Sequence, residues 1–173
     1  SVESLFICAE YAAAFGITLL LEPLNRQKVT LVRTLEEGKR IIQDVGRDNI
    51  YLVPDIYQMS MEEICGIPAA IREYGQWIQN IHVADSTRCV PGMGVYNWHE
   101  ILTALNDINY KGALSFEPVF LDFDAVRVFT EKDYEMKFST QLKLGVNFIH
   151  TVMQSMTFEK VFNGKCCLEG EQT

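Results

Sequence analysis

The sequence is short of histidine and of positive charge, and it has no cysteine pairs and no long apolar run. Each shortage excludes something. Three histidines leave little material for a multi-histidine zinc centre. The five cysteines, at 8, 65, 89, 166 and 167, form no C-x-x-C pair. Zinc-finger spacing is therefore excluded, and the cysteines read as reduced thiols, as expected in a cytoplasmic protein. Lys and Arg number 15 against 23 Asp and Glu, a net charge of −8. Such a surface repels phosphate backbones, so no nucleic-acid partner is expected. Apolar runs such as Ile17 to Leu21 are far too short to span a bilayer, so no membrane partner is expected either. Gly92 and Gly94 lie in no G-x-x-x-x-G-K phosphate loop and read as turn residues. The start, Ser1-Val2-Glu3-Ser4, has no initiator Met and no basic stretch of a signal peptide. It opens directly into a helical pattern, which points to a piece of a longer chain.

What remains is an ordinary globular composition, 48% hydrophobic and 22% charged over 173 residues. One unit recurs along it. Ile17-Thr18-Leu19-Leu20-Leu21 reads as a buried strand, bounded by Gly16 and by Glu22-Pro23. Thr34-Leu35-Glu36-Glu37 is a capping box that starts a helix running to about Val45. Ile50 to Val53 is a second strand, ending in Pro54-Asp55. Ser60-Met61-Glu62-Glu63 reads as a second capping box, opening a helix to about Tyr74. Ile78 to Val83 is a third strand, followed by a Pro/Gly loop and a helix N-capped by Asn97. Ala113 to Phe116 is the fourth strand, ending in Glu117-Pro118. A loop over 119–133 and a helix from about Tyr134 to Met153 complete the pattern. The expected organisation is a barrel-type domain over 1–157 and a polar, frayed tail over 158–173.

Alternating buried strands and helices imply a parallel sheet and an α/β fold. Four βα units are half of a (β/α)8 barrel, which typically takes roughly 250 residues. An open parallel sheet with two bare edges is a liability. A homo-oligomer that closes the sheet, a missing half of the barrel or a rearranged fold would each resolve it.

Each strand ends in one residue able to bind a metal: Glu22, Asp55, His82 and Glu117, at intervals of 27 to 35 residues. In parallel α/β folds these ends face one shared mouth. Three carboxylates and one imidazole suit a divalent ion of the Mn²⁺, Mg²⁺ or Co²⁺ type. Taken singly, a charged residue after a strand is usually just a solvated loop, and a histidine in a strand is more often structural.

Leu21-Glu22-Pro23-Leu24-Asn25-Arg26, Asp55-Ile56-Tyr57-Gln58-Met59, His82-Val83-Ala84-Asp85-Ser86-Thr87-Arg88 with Pro91-Gly92-Met93-Gly94, and Ser115-Phe116-Glu117-Pro118 form an ordered set. It resembles the sugar isomerase/epimerase group, xylose isomerase-like TIM barrels that include the D-tagatose and D-psicose 3-epimerases. The match covers about residues 5 to 150 and only that family's C-terminal half. The resemblance implies a metal held by Glu22, Asp55, His82 and Glu117. It also implies that Glu22 and Glu117 act as acid and base on opposite faces of a sugar, through an enediolate. Arg88 would hold a substrate oxygen; its alternative is a surface ion pair with Asp85 or Glu100. Two positions depart from the pattern. Gln58 stands where the family has a substrate-contacting histidine, and Lys28 where the epimerases have an acid. With Arg33, Lys28 could make a cationic loop for a phosphorylated or acidic sugar; the alternative is that both face solvent. Two other functions compete: a half-barrel that serves as an interaction piece without catalysis, and a metal-dependent hydrolase of the endonuclease IV type. The scarcity of histidine and the charge of −8 weigh against the hydrolase.

Overall fold

A computed structural model of the chain describes residues 2–119 and 134–163. Four short parallel strands alternate with helices: α1 (Val2–Ala13), β1 (Leu19–Leu21), α2 (Leu35–Val45), β2 (Ile50–Leu52), α3 (Ile56–Glu62), α4 (Ile67–Tyr74), β3 (Asn80–Val83), α5 (Trp98–Asp107), β4 (Ala113–Phe116) and α6 (Tyr134–Asn163). The boundary expected after residue 157 falls inside α6. The rest of the tail lies outside the described residues, as does the loop expected over 119–133, Val119 excepted.

The strands pair in two doublets. Leu20 lies opposite Tyr51 in the β1–β2 ladder, and His82 opposite Ser115 in the β3–β4 ladder. Between the doublets there are only single bridges, Leu52 with Ile78 and Asp55 with His82. Two bonds stitch this seam: Gln79 N donates to the Leu52 carbonyl at 3.1 Å, and His82 N to the Pro54 carbonyl at 2.9 Å.

The helices cover one face. Ile50, Leu52, Ile81 and Val83 pack with Leu35, Ile42, Ile71 and Ile101 into one core. The opposite face is open. Leu20, read as part of a strand buried on both sides, is 41% exposed. The reason is that four strands supply only half a barrel wall, and nothing among the described residues lies across from them.

The first capping box forms as read. Thr34 Oγ1 accepts from Glu37 N, the Glu37 carboxylate accepts from Thr34 N, and Gly46 ends α2 in the left-handed region. The second does not. Ser60 lies inside α3, which Asp55 caps by accepting from Tyr57 N at 3.0 Å. A separate helix, α4, follows after Gly66. Gly66 has φ +82°, a conformation that breaks the helix, and Pro68 fits only a first turn because it has no N–H to donate. These two residues override the Ser-x-x-Glu pattern.

Candidate functional site

Side chains alternate along a strand, so residues two apart share a face. Leu20 and Glu22, Asn80 and His82, and Ser115 and Glu117 are such pairs on the face away from the core. Pro23 and Pro118 hold the residue before each of them extended, so Glu22 and Glu117 continue their strands outward. Glu22, His82 and Glu117 thereby converge. His82 Nδ1 lies 3.2 Å from Glu22 Oε1 and 3.6 Å from Glu117 Oε2, and one ligand atom from each residue lies within 4.8 Å of the others. The side chains are 27%, 22% and 45% exposed for Glu22, His82 and Glu117, so the cluster is open to a ligand yet half-screened from water. Burial raises the Glu22 carboxyl above its ordinary range. The neighbouring His82 opposes that shift, and Glu117 and Asp55 add to it. Two carboxylates and an imidazole this close fit a divalent cation.

Asp55 is fully buried beside this group and outside its 4.8 Å limit. Its Oδ2 accepts from Arg88 Nη1 and from Gln58 Nε2, the latter at 3.3 Å. Arg88 also donates from Nη2 to Glu117 Oε2 at 3.2 Å, and its guanidinium lies 4.7 Å from the centre of the Tyr57 ring. The surface ion pair of Arg88 with Asp85 or Glu100 is therefore not what forms. Arg88 turns inward because its own backbone is left-handed, φ +62°, in a turn closed by Arg88 N donating to the Asp85 carbonyl.

Gln58 is buried, and both ends of its amide are engaged. Its carbonyl accepts from Asn25 Nδ2 and from Asn25 N, and its NH₂ faces Asp55. In this structure it reaches the site through Asp55. Lys28 is exposed on the turn after β1. Arg33 pairs with Glu37 at 3.7 Å, so it does not add to a free cationic loop. Asn25, Tyr57 and Glu62 are site-supporting residues that the sequence reading passed over. Each is recognisable only by its partner across the fold. A separate cavity of about 310 Å³, lined chiefly by Leu102, Leu105, Tyr110, Leu114, Met153 and Met156, carries no acid, base or metal ligand.

A parallel βα array with a carboxylate–imidazole–carboxylate group at its strand ends is part of a (β/α)8 barrel, with its candidate site where barrel enzymes keep theirs. Residues 1–128 match the xylose isomerase-like TIM barrel family, and the chain belongs to that family. It is 40% identical over 117 residues to the D-psicose 3-epimerase of Agrobacterium fabrum, covering 68% of this chain and 40% of that one. To the L-ribulose 3-epimerase of Mesorhizobium japonicum it is 38% identical over 117 residues, covering 68% and 39%. A solved L-ribulose 3-epimerase structure superposes with a TM-score of 0.80 at 28% identity, covering 97% of this chain and 57% of that one. The chain thus spans about 40% of the length of the curated relatives it matches. That share agrees with a half-barrel.

Proposed function

We propose that the protein acts as a divalent-metal-dependent sugar epimerase, inverting a carbon beside the carbonyl of a ketose. The observation that carries this is the convergence of Glu22 and Glu117, from strands at opposite ends of the array, on His82. Glu22, His82 and Glu117 would hold the ion, Mn²⁺ in preference to Mg²⁺ or Co²⁺. Asp55 would join them once Arg88 exchanges it for a substrate oxygen. The bound ion would supply positive charge beside the negative charge that develops on the substrate's oxygens.

The chain's own groups do the proton work. The Glu22 carboxylate takes the proton from the carbon next to the carbonyl, and the C–H electron pair moves into an enediolate. Protonated Glu117 returns a proton to the opposite face, and the carbon is inverted. The position of Glu22 supports this role, because its side chain is only 27% exposed and so partly screened from water. Arg88 would bind a substrate oxygen, with Tyr57 and Asp55 fixing its plane. Gln58 would act through Asn25 and Asp55. Arg26 is tied to Glu62 and Arg33 to Glu37, which leaves Lys28 as the cation of that loop with no ion pair among the described residues. This supports an uncharged ketose over a phosphorylated one. Reduced thiols fit a cytoplasmic setting. A homo-oligomer would cover the open strand edges.

A second reading, an interaction piece without catalysis, is favoured by the apolar surface exposed at Ile7 and Tyr11 of α1 and at Phe15 in the turn after it. One experiment separates the two. The purified chain is melted in EDTA and then in excess Mn²⁺, and assayed for interconversion of D-psicose and D-fructose. A ligand specific to the folded state adds about 2.7 kcal/mol at a hundred times its dissociation constant. The proposal expects an upward shift in Tm that Glu22→Gln loses, and turnover that Glu22→Gln and Glu117→Gln each abolish. A cooperative melt indifferent to metal, without turnover, would establish the second reading instead.

A further inference from the structure

The loop after β3 is built around one buried carboxylate, that of Asp85, which is fully shielded from water. Its Oδ1 accepts from Ser86 N at 2.8 Å and Tyr96 N at 3.3 Å. Its Oδ2 accepts from Gly92 N at 2.8 Å and from the Trp98 indole N–H at 2.7 Å. The main chain of the same residue closes a turn. Asp85 N donates to the Cys89 carbonyl, and the Asp85 carbonyl accepts from Arg88 N, both at 2.8 Å. A Cβ at Gly94 would come within 2.1 Å of Oδ1, so the loop wraps the carboxylate too closely for any other residue there. Trp98 is itself buried and anchors this loop.

The four donors are all neutral N–H groups turned toward the Asp85 carboxylate. Bonds to an ionised acceptor are about twice as strong as neutral ones, which makes this carboxylate the hub of the 85–98 segment. Arg88 is the one residue of that segment that reaches Asp55 and Glu117. It does so from a left-handed backbone that a non-glycine residue adopts only when its surroundings enforce it. We infer that Asp85 is the positioning residue of Arg88: its carboxylate folds the loop into the shape that aims the guanidinium at the strand-end cluster. The consequence for turnover rests on the reading of Arg88 as a sugar-binding group, whereas the positioning itself does not.

The test is site-resolved. The rate of phenylglyoxal modification of each arginine is measured by peptide mass spectrometry in the wild type, in Asp85→Asn and in Trp98→Phe. Asparagine keeps the size but replaces one acceptor oxygen with an NH₂ that faces N–H donors. Trp98→Phe removes a single donor and keeps an aromatic ring. Arg88 is expected to react about tenfold faster in Asp85→Asn, the change that loss of one charge-assisted bond gives. A smaller rise is expected in Trp98→Phe. Arg40 and Arg72, both already exposed, should keep their rates. If Asp85→Asn unfolds and all arginines accelerate together, Trp98→Phe decides. An unchanged Arg88 rate in Trp98→Phe, or a rise there shared equally by Arg40 and Arg72, overturns the inference. In the kinetic arm, Asp85→Asn raises KM for the ketose more than it lowers kcat. If the wild type turns over no ketose, the proposed function fails, and the modification rates still decide the positioning role.

Discussion

Glu62 is almost entirely out of water and is held by a single exposed arginine. Arg26 donates to it three times: from N at 2.8 Å and Nε at 2.9 Å to Oε1, and from Nη2 at 3.1 Å to Oε2. This pair ties the loop after β1, which begins with Glu22, to the end of α3. The Arg26 guanidinium holds the Glu62 carboxyl below its ordinary range. A carboxylate depressed in the folded state stabilises above its unfolded value, and that contribution fades as the pH falls through the folded one. Wild-type Tm should therefore drop more steeply below about pH 4.5 than that of Glu62→Gln, and melts at about pH 5, 4 and 3 would show it. Arg26→Ala should lower the Tm at pH 7, since it leaves the Glu62 carboxylate short of donors. Equal slopes for wild type and Glu62→Gln would mean that the pair does not govern the acid limb.

At the scale of elements, two four-residue patterns with the same chemistry had different fates. Thr34-Leu35-Glu36-Glu37 was legible because Leu35, the residue behind the cap, belongs to the core and fixes where the helix begins. Thr34→Ala should lower stability by about 1 kcal/mol, measurable by urea titration. An unchanged midpoint would show that core packing alone sets that boundary. Ser60-Met61-Glu62-Glu63 misled because its Ser and second acid already had other partners. Ser60 Oγ donates to the Tyr57 carbonyl, and Glu63 accepts from Leu35 N across the fold. The strand ends were legible for a simpler reason. Buried apolar runs stop where a charged residue and a proline stand, so Glu22, Asp55 and Glu117 were visible as termini. Asp85 was not, because its role depends on Gly92, Tyr96 and Trp98 folding back onto it, and spacing alone does not encode that return. Arg88 was picked out by resemblance, but its partners Asp55 and Glu117 emerged only from the packed structure.

At the scale of the whole molecule, the exposed side of α1 stands out. Ile7 and Tyr11 on α1 and Phe15 in the turn after it are 60%, 71% and 64% exposed, and the Tyr11 and Phe15 rings lie 5.1 Å apart. Ile17, whose N–H donates to the Ala12 carbonyl at the end of the helix, adds to this apolar surface at 54% exposed. Self-association through it is expected to appear as a mass that rises with concentration in sedimentation. The double variant Ile7→Lys/Tyr11→Lys should return the chain toward a monomer. An unchanged mass in the double variant would place the contact elsewhere.

The seam between the strand doublets has its own consequence. Glu22 and Asp55 stand on one doublet, His82 and Glu117 on the other, and Arg88 reaches across to Asp55 and Glu117 at once. With few main-chain bonds joining the doublets, these side chains couple them at the mouth of the array, in addition to the apolar core that both doublets share. Whatever those residues grip bears on whether the two leaves open as one unit or in turn.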